Sequence, residues 1–191
     1  MTVKDIIEKS AVLLNKSEIV KYLNTGVAEN YFSVLEDVEI LLNCYNVIQD
    51  EIASSYFRFK DCEKLSTENG VIKLSRFTNN PFAIVSIKDE SGLKLDAKIL
   101  PTEIITDKTA VIEYYYLPSA KKLEDISDFT GTPVTLRTLC YGVMTEYLLI
   151  KGAFEESSTW HSKYVDALSN LAINVKRKRV KGRVWQWEIK S

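Results

Sequence analysis

Tyr31-Phe-Ser-Val-Leu-Glu-Asp-Val-Glu-Ile-Leu-Leu-Asn-Cys-Tyr-Asn-Val-Ile-Gln-Asp-Glu-Ile52 carries the clearest pattern in the chain. Tyr31, Val34, Leu35, Val38, Leu41, Leu42, Tyr45, Ile48 and Ile52 recur at spacings of three and four, the period of one helical face. The spacing predicts a long amphipathic helix over residues 28–55. Such a helix must bury its stripe against other elements, so the flanking sequence decides the architecture.

Upstream, Thr2 and Asp5 form a loose capping box, and Ile6, Ile7, Ala11, Leu13 and Leu14 make an apolar stripe. A helix is expected over 3–14, interrupted by Asn15 and Lys16. Ser17 is then expected to cap a short helix through Leu23, closed by Asn24-Thr25-Gly26, where glycine can take the left-handed conformation.

Downstream of Phe57 the period changes. β-Branched and aromatic residues are punctuated by Glu68-Asn69-Gly70, Thr78-Asn79-Asn80-Pro81, Asp89-Glu90-Ser91-Gly92 and Thr106-Asp107-Lys108. Antiparallel strands are predicted at 57–63, 71–76, 82–88, 94–100 and 110–117, together one small sheet. The near-continuous apolarity of Ala110-Val-Ile-Glu-Tyr-Tyr-Tyr-Leu117 predicts burial on both faces, although one of the three tyrosines must leave the core side.

A polar connector over 118–131 leads to Thr132-Pro133, which reads as an N-cap followed by proline at the first helical position. The helix that follows has Leu136, Leu139, Cys140, Val143, Tyr147 and Ile150 on its apolar face. It pauses at Lys151-Gly152 and resumes through Phe154, Trp160, Tyr164, Leu168 and Leu171, as a hairpin or as one helix kinked at the glycine. The fold class is therefore α+β: a mainly helical bundle (1–56 and 119–174), an inserted antiparallel β domain (57–118) and an extended basic, aromatic tail (175–191).

Composition excludes several classes. Hydrophobic residues at 46% and charged residues at 27% are ordinary for a globular chain. No apolar run approaches the roughly 18 residues of a membrane-spanning helix, and Met-Thr-Val-Lys-Asp-Ile-Ile-Glu lacks a signal peptide's apolar region, which favours the cytosol. Cys44, Cys62 and Cys140 fall in no metal or redox spacing, and His161 has no companion ligand, so neither a metal nor a cofactor is expected. No P-loop, dinucleotide fingerprint, nucleophile elbow or zincin motif occurs, and no enzymatic activity is expected. Glu36, Asp37, Glu39, Glu124, Asp125, Glu155 and Glu156 read as solvated charges, leaving a carboxylate pair assembled across the fold as the weakest of three functional readings. Tyr31, Tyr45, Tyr141, Tyr147, Trp160 and Tyr164 fall at helical spacing and read as core or helix contacts.

The closing seventeen residues stand apart. Lys176, Arg177, Lys178, Arg179, Lys181, Arg183 and Lys190 against Glu188 give a formal charge of +6, so the rest of the chain, at −1 overall, carries −7. A basic run of this kind fits phosphate binding, as in a cytosolic nucleic-acid-binding regulator, or a frayed terminus. However, Trp185, Trp187 and Ile189 alternate with polar residues, giving an extended segment one apolar face that calls for a protein groove or sheet edge.

The C-terminal third resembles the portal-adaptor, or head-to-tail connector, proteins of tailed bacteriophages. The positions that carry the resemblance are Gly142, Glu146, Tyr147, Gly152, Phe154, Glu155, Glu156, Trp160, Lys163 and Tyr164, followed by a basic tail with Arg183-Val-Trp185. Ser157 and Ser158 stand where alanines are commoner. The resemblance implies a structural virion protein at the head–tail junction, made in the host cytoplasm, without a membrane partner. It implies a homo-oligomeric ring, commonly twelvefold, between the portal protein and the tail tube or nozzle proteins, with genomic DNA passing through the lumen without sequence-specific binding. Portal docking would fall to Lys176, Arg177, Lys178, Arg179, Lys181, Arg183, Trp185, Trp187 and Ile189.

Overall fold

The computed structural model describes the backbone of residues 1–180 and the side chains of residues 1–171. The chain is α+β and divides into two compact units, one formed by Met1–Gln49 with the chain from Ala120 onward, the other by Asp50–Ser119. The division falls at Asp50, inside the long helix.

In the helical unit, α1 (Val3–Leu13) starts at a capping box: the Asp5 N–H donates to Thr2 Oγ1 (3.1 Å) and the Thr2 N–H to Asp5 Oδ2 (2.7 Å). Those hydrogen bonds to Thr2 hold the Asp5 carboxyl below the usual carboxylate range. Asn15, at φ 56°, turns the chain into α2 (Ser17–Thr25). Ser17 is not the cap expected of it; it is the first helical residue, and Lys16 occupies the cap position without a side-chain hydrogen bond.

The long helix is α3 (Tyr31–Ser55), with Val34, Val38, Leu41, Tyr45, Ile48 and Ile52 buried. Tyr31, expected on that face, is instead exposed, stacked edge-on against Tyr22 and Phe32. The polar connector is stitched into this unit. Asn46 holds both backbone groups of Lys121, the Tyr45 hydroxyl donates to Ser127 Oγ (2.8 Å), and the N–H groups of Val3 and Lys4 donate to Asp125 and Leu123.

The helix expected to start at Thr132-Pro133 starts three residues later as α4 (Leu136–Ile150), because Thr135 supplies the cap by accepting from the Thr138 N–H. Thr132 closes a turn instead, its hydroxyl donating to the Phe129 carbonyl. Gly152, at φ +75°, reverses the chain into α5 (Phe154–Val180), so the hairpin exists and the kinked helix does not. Residues 175–180, expected in the extended tail, lie on the helical backbone of α5.

The second unit holds two three-stranded antiparallel sheets rather than one. β1 (Phe59–Leu65), β3 (Pro81–Lys88) and β6 (Ala110–Tyr116) form the first, in the order β1-β6-β3; β2 (Val71–Lys73), β4 (Lys98–Ile99) and β5 (Glu103–Ile105) form the second, in the order β2-β5-β4. Ile72, Phe77, Ile87, Ile104, Ala110, Ile112 and Tyr114 make its core. β6 is central, yet it is not buried on both faces. Ala110, Ile112 and Tyr114 are buried, whereas Val111, Glu113 and Tyr115 face a half-covered surface where Glu113 pairs with Lys60 (2.7 Å) and the Arg58 guanidinium lies over the Tyr115 ring.

Candidate functional site

Of the nine residues predicted to dock on a partner, Lys176, Arg177, Lys178 and Arg179 fall on the last turns of α5, where only backbone is described, and Lys181, Arg183, Trp185, Trp187 and Ile189 lie outside the described residues. The structure does show the platform that carries them. Ser157 near the start of α5 is buried and donates to the Thr145 carbonyl of α4 (3.0 Å), which explains a serine where a small residue is demanded. Three residues on, Trp160 packs on Tyr141, with the Lys163 ammonium 3.9 Å from its ring centroid. Tyr164, Leu168 and Leu171 continue the buried stripe. From this register α4 extends about two and a half turns back from Thr145, whereas α5 extends about six turns beyond Ser157. α5 therefore outruns its partner and carries the basic run past the start of α4.

At the opposite end of α5 lies a cleft of about 480 Å³ between the α1–α2 turn, the first turns of α3 and the α4–α5 turn. Its centre is Asp37, which the sequence suggested was a solvated charge. The side chain is only 14% exposed and is paired with Lys151 Nζ at 2.8 Å and Lys16 Nζ at 3.8 Å. Both ammoniums also lie against the Tyr147 ring, 5.8 and 5.9 Å from its centroid. The Tyr147 hydroxyl is buried and makes no hydrogen bond of good geometry; burial and, after it, the nearby Asp37 carboxylate push the phenol well up. The signal for Asp37 was present in the spacing, since it sits three residues from Val34 and four from Leu41 on the apolar face of α3.

The remaining expected carboxylates stay apart. Glu36, Glu39, Glu124, Asp125, Glu155 and Glu156 are exposed, and Glu155 and Glu156 stand in the first turn of α5, where its dipole favours negative charge. In the β unit the Tyr114 hydroxyl donates to Glu63, and Glu113 is taken up by Lys60 and Ser86. Cys44 and Cys140 are buried and Cys62 exposed, all three as free thiols; burial, with Glu146 nearby, pushes the Cys44 thiol up to about 12. No group of three potential metal ligands occurs among the described residues. The arrangement thus offers an ion-paired latch at one end of a helical unit and a helix carrying a basic segment at the other. No family model matches the chain, and no curated protein matches it in sequence.

Proposed function

We propose that the protein is a structural component of a tailed-phage virion, a head-to-tail adaptor whose copies form a ring between the portal and the tail and dock on the portal through the C-terminal segment. The observation that supports this most directly is the α4–α5 hairpin. Its second helix outlasts the first and holds the basic run clear of the hairpin contact, while Gly142, Gly152, Trp160 and Tyr164 serve as its packing and turning points. Docking by such an arm is a problem of charge and apolar burial. The lysines and arginines steer the encounter, and burial of Trp185 and Trp187 stabilises the complex by about 2 kcal/mol or more per side chain. The virion, at the head–tail junction, is the compartment this reading requires, with synthesis in the host cytoplasm.

The test is a phage carrying the chain truncated after Asn174. Imaging of its particles is expected to show packaged heads whose portals lack the adaptor ring and the tail. A ring still seated on the portal would overturn the assignment of the arm, and absence of the chain from the junction of intact particles would overturn the adaptor reading altogether. Duplex binding that falls steeply with salt and disappears on neutralising Lys176–Arg179 would favour the nucleic-acid-binding regulator instead.

A further inference from the structure

Among the described residues, every exposed Tyr and Phe side chain of the helical unit lies at one end, with several exposed aliphatic side chains beside them. Leu13, Val27, Tyr31, Phe32, Ile150 and Phe154 all sit at the end marked by the Asp37 cleft, on the α1–α2 turn, the entry to α3 and the α4–α5 turn; Phe32 is 86% exposed and Phe154 66%. The same end carries Glu18, Glu29, Glu36, Asp37, Glu155 and Glu156 against Lys16, Lys21 and Lys151, an excess of three negative charges. An acidic surface with exposed aromatics complements one segment of this protein above all: the basic run followed by Trp185, Trp187 and Ile189.

The chain's own tail falls short. α5 is about 40 Å long, and Trp187, seven residues past Val180, reaches at most about 25 Å from the far end of that helix. We infer that the apolar, acidic end of the helical unit is a docking surface for the C-terminal segment of a second copy, whose tryptophans pack against Phe32 and Phe154 while its lysines and arginines meet the surrounding carboxylates. The inference goes beyond the portal reading and does not depend on it. In the free protein the tail is held head-to-tail by another subunit, and a tighter partner then displaces it. A contact between two different surfaces repeats along a row of subunits unless its geometry closes.

Sedimentation velocity on the full-length protein tests this. Wild type is expected to associate with rising concentration, and added salt is expected to weaken the association. A double variant with Phe32→Ser and Phe154→Ser, and another with Trp185→Ser and Trp187→Ser, are each expected to associate at least about tenfold more weakly. Phe32 and Phe154 are both exposed, so the first double variant spares the buried core. Mixing the two variants is the decisive arm, since one retains an intact tail and the other an intact end; they are expected to form a one-to-one complex that grows no further. Wild-type association by either variant alone, failure of the mixture to pair, or a wild-type protein that stays monomeric would overturn the inference. The Phe32 and Phe154 variant keeps its tail, so its portal docking in particles reports separately on the proposed function.

Discussion

Gly142 on α4 and Ile48 on α3 approach so closely that a Cβ on residue 142 would stand 2.9 Å from both Cδ1 and Cγ2 of Ile48. The glycine is a packing requirement, since it carries no positive φ and sits mid-helix, where alanine would be intrinsically better by about 1 kcal/mol. Ile48 is 1% exposed and has little room to give way.

Gly142→Ala is therefore expected to destabilise the protein by about 1–2 kcal/mol despite the gain in helix propensity, because overpacking of a closed core outweighs it. Urea melts of the single variant, of Ile48→Val and of the double variant check this. The double variant should be more stable than the sum of the two singles predicts, because Ile48→Val removes one of the clashing atoms.

Asp37→Ala removes the carboxylate that Lys16 and Lys151 share. Both lysines are more than a third exposed, so the loss should be about 1–2 kcal/mol rather than the larger cost of breaking a fully buried pair. Thermal melts at low and high salt provide the measurement, and the gap between wild type and variant should narrow as salt rises.

Gly152 turns the chain between α4 and α5 at φ +75°, with open space around it. Gly152→Ala is expected to cost about 1 kcal/mol through backbone strain alone, and Gly152→Asn less, since asparagine tolerates the left-handed region better. Chemical denaturation of the two variants side by side separates strain from steric conflict.

Burial pushes the Tyr45 phenol up to about 12, against about 10 for an unperturbed tyrosine. The folded state therefore holds this proton more tightly than the unfolded chain does. Its contribution is fully present below pH 10 or so and is lost as pH rises towards 12. Stability measured across that window should fall more steeply in wild type than in Tyr45→Phe. The variant should be less stable at neutral pH by about 1 kcal/mol, because the hydrogen bond to Ser127 is gone.

Much of the helical unit was legible because a helix writes its buried face into its own sequence. The 3.6-residue period located α3, and the Thr2–Asp5 box and Gly152 marked ends that the backbone adopts. Caps proved less legible where two candidates stood close together, as with Thr132 and Thr135. Either can accept a hydrogen bond from the N–H of a residue shortly after it, and only the path of the chain into α4 decides which does.

The β unit was legible in its three long strands but not in its sheets or its short strands: the strand expected over 71–76 ends at Lys73 and gives way to a 3-10 turn at Leu74–Arg76, and the one expected over 94–100 is only Lys98–Ile99. β5 was missed because Glu103–Ile105 is too short for alternation to register, and the split into two sheets depends on pairings such as Ile72 with Ile104 that local pattern cannot encode.

Residue order alone determined that this chain makes amphipathic helices around a β insertion and ends in a basic, aromatic segment, because periodicity and charge are local properties. Tertiary structure alone decided that Asp37 is held between two lysines, that Gly142 must be small, that α5 outruns α4, and that the exposed aromatics of the helical unit gather at one end. Each of these depends on which elements meet and at what register. That is set by long-range packing of faces that look alike when read one at a time.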